Sequence, residues 1–204
     1  MKHANLLERL VNEEKERSNT LGILVFGSVA NGTEREDSDL DLMVIYKDHV
    51  VNAGVEDRYV DGIKVGKTFF TFETLAESVE TVPYLLNVVA NSRLLFDRSG
   101  DIAPLLEKLR AYFASRPDVL AEWDRIYHRF REEKSRLGYE QTTIIDVFDE
   151  LEAKYSGGAM KRTFFTQIVV PTGSEECSGN NDNLIARITR AVGQLLASRE
   201  RVEG

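Results

Sequence analysis

Apolar residues are spaced in two ways along this chain, and the change from one spacing to the other organises it. Near the amino terminus Leu6, Leu7, Leu10 and Val11 recur at helical spacing among charges, which predicts an amphipathic first helix. Residues 21–26 are almost continuously apolar up to Gly27, the pattern of a short buried strand. Over residues 40–46 Leu40, Leu42 and Val44 alternate with Asp39, Asp41 and Met43, so a strand is predicted with carboxylates on one face. Residues 58–60 and 63–71 flank the pair Asp61-Gly62, which has the chemistry of a tight hairpin turn.

After Thr74 the period becomes helical. The pattern predicts a helix over 77–91 in spite of Pro83, and a short strand over 93–96 that ends at Asp97-Arg98-Ser99-Gly100. Helices are expected over 102–115, 117–137, 140–155, 160–170 and 183–199, with breaks at Gly157-Gly158 and Ser178-Gly179-Asn180-Asn181. The expected fold class is α+β: a small mixed sheet with flanking helices over residues 1–98, followed by a helical domain over residues 99–204.

The segment Phe26-Gly27-Ser28-Val29-Ala30-Asn31-Gly32, followed by Ser38-Asp39-Leu40-Asp41-Leu42, joins two requirements of phosphoryl transfer. A Gly-Ser step at a strand end lets backbone approach a polyphosphate, and a following helix would offer free N–H groups and the positive end of its dipole. The Ser28 hydroxyl adds a further donor. Asp39 and Asp41 leave the same strand face with α-carbons about 6.6 Å apart, so their carboxylates can converge on shared metal. Magnesium suits such a pair, because it takes oxygen ligands and keeps positions open for water and substrate phosphates. Either half alone is commonplace; a lone Asp-x-Asp is more often a turn or a solvated edge. Ten residues between Ser28 and Asp39, with strands on both sides, make the combination specific.

Composition narrows the partners. Of 204 residues, 34 are acidic and 26 basic, a net charge of −8, which disfavours a diffuse grip on long nucleic acid. An acidic surface tolerates a cationic acceptor, although solubility alone explains it equally. Cys177 is the only cysteine, so an internal disulfide and a cysteine-based metal site are both excluded, which fits a reducing cytoplasm. The amino terminus lacks the pattern of a signal peptide, and no apolar run reaches membrane-spanning length. The expected location is therefore the cytoplasm.

The paired motif resembles the signature of the DNA polymerase beta-like nucleotidyltransferase superfamily. That resemblance covers about the first hundred residues. It implies that Gly27 and Ser28 bind the triphosphate, that Asp39 and Asp41 bind magnesium, and that ATP or another nucleoside triphosphate is the co-substrate. A small catalytic domain followed by helices is similar to the enzymes that adenylylate aminoglycosides or lincosamides, which implies transfer of a nucleoside monophosphate, AMP by that likeness, to a hydroxyl of a small acceptor, a cationic one included. Two alternatives stay open: nucleotidylation of a protein or RNA partner, as in antitoxin-like relatives, and a degenerate domain that binds nucleotide without turnover. A second subunit completing the cleft, as in a homodimer, is also left open.

The superfamily usually carries a third carboxylate on the next long strand, where it accepts the proton of the attacking hydroxyl. Here that position falls on or near Gly66. The register could differ, with Asp61 or Glu73 serving; the base could come from the helical domain; or catalysis could be impaired. In the predicted helix 140–155, Ile144, Val147, Phe148 and Leu151 form the apolar stripe, and Asp146 on the other face is the candidate remote base. Lys67 is a candidate phosphate contact, as is Lys161 beside Arg162 just past the double glycine. His3, His49 and His128 are too scattered for a metal cluster, and the stripe Trp123, Tyr127 and Phe130 reads as core more readily than as a wall for a nucleobase.

Overall fold

The computed structural model describes residues 2–49, 53–137 and 144–156, all within one compact unit. Its elements run α1 (Lys2–Lys15), β1 (Thr20–Phe26), α2 (Gly27–Asn31), β2 (Leu40–Tyr46), β3 (Ala53–Val60) and β4 (Ile63–Thr71), then α3 (Phe72–Thr81), a 3-10 turn (Pro83–Leu85), α4 (Asn87–Ala90), β5 (Arg93–Asp97), α5 (Ile102–Ser115), α6 (Pro117–Leu137) and α7 (Ile144–Tyr155). The expected α+β class is observed. Expected helices over 160–170 and 183–199, together with Lys161, Arg162 and Cys177, lie outside the described residues.

The five strands form one mixed sheet in the order β3-β4-β2-β1-β5. Only β2 and β4 run parallel; the other pairs are antiparallel. Because strand side chains alternate, each face has its own partner. Leu40, Leu42, Val25, Ile63 and Val65 meet Leu6 and Leu10 of α1 on one face. Leu24, Met43, Ile45, Ala53 and Phe70 point the other way into a larger core, shared with Leu75, Leu106, Trp123, Phe148 and Leu151 of the later helices. This core runs without interruption from the sheet to α7. Among the described residues no helix is long and apolar enough to cross a membrane.

Two elements depart from expectation. The helix predicted over 77–91 is broken: α3 ends at Thr81 and Val82 leaves helical geometry at φ −137°, ψ 45°. Pro83 has no N–H to give and disfavours helical backbone in the residue before it. The helix also begins earlier, because the Thr71 hydroxyl caps it by accepting from the Thr74 N–H at 3.3 Å. Strand β3 is longer than its predicted end at 58–60. Its first half contains Gly54, where a β-carbon would stand 2.5 Å from the Phe69 ring; the missing side chain admits that ring, a usual reason for glycine within a strand. The turn is as expected, with Asp61 and Gly62 at φ 53° and 74°, the paired positive values of a tight hairpin.

Candidate functional site

The site lies where β1 ends and β2 begins. Antiparallel pairing sets Phe26 opposite Asp41, so the bend after Phe26 falls beside that aspartate. Gly27 takes φ +71°, and a β-carbon there would stand 2.7 Å from Asp41 Oδ2. Glycine is therefore required twice, by backbone geometry and by proximity to the carboxylate. Gly27→Ala would incur a left-handed strain of about 1–2 kcal/mol and push Asp41 aside. Thermal unfolding is expected to register the strain, and a magnesium titration should show weakened binding beyond what the stability loss explains.

Ser28 follows in the first turn of α2. Its carbonyl accepts from Thr33 N at 3.0 Å, closing the turn, while its hydroxyl has no hydrogen-bond partner among the described residues. It is therefore available to an incoming ligand.

Asp41 continues the row of Met43 and Ile45 at the end of the larger core, beside its cross-strand partner Phe26. Its pKa is raised from 3.8 to about 6, by burial first, then by the charge of Asp39 and in smaller part by Asp57, against the opposing pull of Lys64. The Lys64 ammonium lies 4.0 Å from Asp39 and 3.1 Å from Asp57. A locus of crowded carboxylates that already draws in a lysine is one a divalent cation would fit, and the pair Asp39 and Asp41 would hold it. Among the described residues no group of three or more His, Cys, Asp and Glu side chains is gathered for a metal, so protein ligands would leave most of the coordination sphere to water and phosphate.

The raised pKa has a consequence for stability. The folded state binds the Asp41 proton more tightly than the unfolded chain, so the burden of the ionised group is absent below about pH 4, grows as pH rises towards 6 and is complete above it. Asp41→Asn removes that burden. Without metal, the variant is expected to be more stable than the parent at pH 7.5 by about 1–2 kcal/mol, allowing for solvent screening at this rim position, and no more stable at pH 4. Urea titrations at the two pH values in the presence of a chelator would measure it.

Beside the acid pair opens a cleft of about 430 Å³ lined by Gly27 and Asp41 on the sheet side, Asn87 and Val88 from α4 with Asn91 just after it, and Trp123, Asp124 and Tyr127 from α6. Tyr127 is exposed at its rim while Trp123 is buried, so the predicted aromatic stripe divides between core and cleft. Asp124 is exposed and has no hydrogen-bond or ion-pair partner among the described residues.

The other predicted site residues divide as follows. Gly66 pairs with Asp41 across the parallel β2-β4 register, so the residue beside Asp41 on the next strand is glycine. Asp61 pairs with Arg9 at 2.8 Å in the hairpin turn, and Glu73 sits in the first turn of α3; neither takes that place. Lys67 is a correction. One residue on from Gly66, it projects from the opposite face, paired with Leu42, and is tied to Glu56 at 2.6 Å, Glu14 at 3.7 Å and the Tyr46 hydroxyl at 3.4 Å. It is thus engaged away from the cleft. Asp146 belongs to α7, but its side chain lies outside what is described. His3 is buried and bonded to the Ser38 carbonyl at 2.8 Å.

One residue was missed altogether. Asp57 of β3 is the partner of Gly66 on the side away from Asp41. A β-carbon on Gly66 would stand 3.1 Å from Asp41 Oδ1 and 3.4 Å from Asp57 Oδ1, so both carboxylates lean over the bare glycine.

The mixed sheet brings an acid pair beside the glycine bend at the end of β1. Residues 7–74, about a third of the chain, match the family model of the nucleotidyltransferase domain, so this part of the chain is similar to such domains. The chain is also similar to a nucleotidyltransferase-like protein from Exiguobacterium sibiricum 255-15, at 17% identity and a TM-score of 0.41, over 70% of this chain and 50% of that one. The chain thus spans half the length of that protein. None of the curated proteins matches it.

Proposed function

We propose that the protein transfers a nucleoside monophosphate, AMP from ATP in the simplest case, to a hydroxyl of a small acceptor, with magnesium held by Asp39 and Asp41. The observation that carries this reading is the contact of the Gly27 bend with Asp41, which puts a backbone cradle and a cation-attracting carboxylate pair within one ligand's reach. Bound magnesium would neutralise charge on the phosphates and orient them for in-line displacement. Gly27 and Ser28 would hold the phosphate oxygens through backbone N–H groups and the free hydroxyl. The adjoining cleft would seat the rest of the reactants, with Asn87, Asn91 and Tyr127 offering hydrogen bonds and a ring face.

Among the described residues none of the side chains lining the cleft is cationic. Two carboxylates, Asp41 and Asp124, favour a neutral or cationic hydroxylated acceptor over an anionic one. Calorimetric titration with ATP and magnesium tests the reading: binding by the native protein, lost on joint replacement of Asp39 and Asp41 by alanine, supports it, and the absence of native binding sinks it. A nucleotide-binding domain without turnover is the second reading, favoured by glycine at position 66. Pyrophosphate release with a panel of hydroxylated acceptors would exclude it.

A further inference from the structure

The geometry points to Asp57 as the group that takes the proton of the attacking hydroxyl, acting from the neighbouring strand over the gap left by Gly66. The inference rests on the nucleotidyl-transfer reading above and adds the residue which that reading leaves unassigned.

Cross-strand partners share a face of the sheet. Asp41, Gly66 and Asp57 form one such row across β2, β4 and β3, so the two carboxylates flank a position with no side chain. The space above Gly66 is bounded by Asp41 Oδ1 and Asp57 Oδ1, each within 3.4 Å of where a β-carbon would lie. An oxygen nucleophile entering that space meets both carboxylates, and the roughly 2.6–3.2 Å at which a carboxylate serves as base is a short step from the 3.4 Å between Asp57 Oδ1 and the β-carbon position. Any residue other than glycine at 66 would fill the space.

Lys64 lies 3.1 Å from Asp57 Oδ2, which leaves Oδ1, the oxygen leaning over Gly66, to receive a proton. In the step itself the acceptor O–H bond breaks and its proton passes to Asp57. The acceptor oxygen bonds to the α-phosphorus, the bond from that phosphorus to the bridging oxygen breaks, and pyrophosphate leaves with the electron pair.

The test uses the full chain with magnesium and ATP, with water and then a panel of polyols and amino alcohols as acceptors, and reads both calorimetric affinity and pyrophosphate release. Asp57→Asn is expected to bind nucleotide nearly as the parent does while releasing pyrophosphate about a hundredfold to ten-thousandfold more slowly at saturation. Asp57 is exposed on its strand, and circular dichroism would confirm folding; Asp57→Ser serves should the asparagine variant not fold. A folded variant that turns over at the parental rate, or loses nucleotide affinity in step with rate, overturns the assignment. Failure of the underlying reading looks different: the parent protein itself neither binds magnesium ATP nor releases pyrophosphate.

Discussion

Joint replacement of Asp39 and Asp41 by alanine is expected to abolish magnesium-dependent nucleotide binding and to lower turnover by about a thousandfold or more. A metal that stabilises transferring phosphate contributes several kcal/mol, and each 1.4 kcal/mol or so is a factor of ten in rate. The fold should survive, because both carboxylates stand at the exposed end of the sheet and Asp41 carries a charge that burial and Asp39 make unfavourable. Loss of function with a gain in metal-free stability is therefore the expected signature, and it distinguishes a ligand pair from structural aspartates, whose removal would lower stability. The single variants should differ. Asp41 is the more buried and abuts Gly27, whereas Asp39 is exposed and pairs with Lys64 at 4.0 Å. Replacing Asp39 alone leaves the Asp41 carboxylate in place beside the Gly27 bend, so some weak metal binding should persist there and none after loss of Asp41. Calorimetry with magnesium and ATP, beside urea unfolding in a chelator, measures both halves.

Much of the scaffold of that site was legible locally. The alternation across Leu40–Tyr46 and the Asp-Gly turn give β2, the hairpin and the position opposite Asp41 with few assumptions, since a two-residue period and two positive φ values are properties of neighbouring residues. Lys67 was open to the same reasoning: if Gly66 faces the acid pair, the next residue must face away, and its partners Glu14 and Glu56 lie on that other side.

Asp57 was not legible, for a different reason. The run Ala53-Gly54-Val55-Glu56-Asp57 has glycine and two charges, so it does not read as a strand, and what makes it one is pairing with β4 together with the fit of the Phe69 ring over Gly54. Its relation to Asp41 exists only through the sheet order β3-β4-β2. Likewise Val82 to Leu86 is apolar enough to read as continuous helix. The stop at Pro83 swings α4 so that Asn87 and Asn91 reach the cleft, and no local period encodes that.

Trp123→Ala is expected to produce the largest loss of stability, about 3–5 kcal/mol for an aromatic side chain removed from a core. Trp123 is buried where sheet and helices meet, edge-on to Phe148 of α7 with ring centroids 5.8 Å apart. Its indole N–H donates to the Tyr84 carbonyl at 2.7 Å, in the turn that Pro83 begins, so truncation also strands that acceptor. Around it Val119 and Ile126 of α6 share the core with Val147 and Leu151 of α7, while ion pairs at the rim such as Arg125 with Glu150 at 3.5 Å, between substantially exposed groups, contribute little. Trp123 therefore joins three elements that line or support the cleft, and its removal should loosen the wall opposite Gly27 before the sheet unfolds. Trp123→Phe keeps the ring and loses the donor, so its loss should be nearer about 1 kcal/mol. As this is the only tryptophan, circular dichroism rather than intrinsic fluorescence has to follow the urea transition. Equal losses for the two variants would show that the hydrogen bond to Tyr84, and not the packing against Phe148, holds the helices over the cleft.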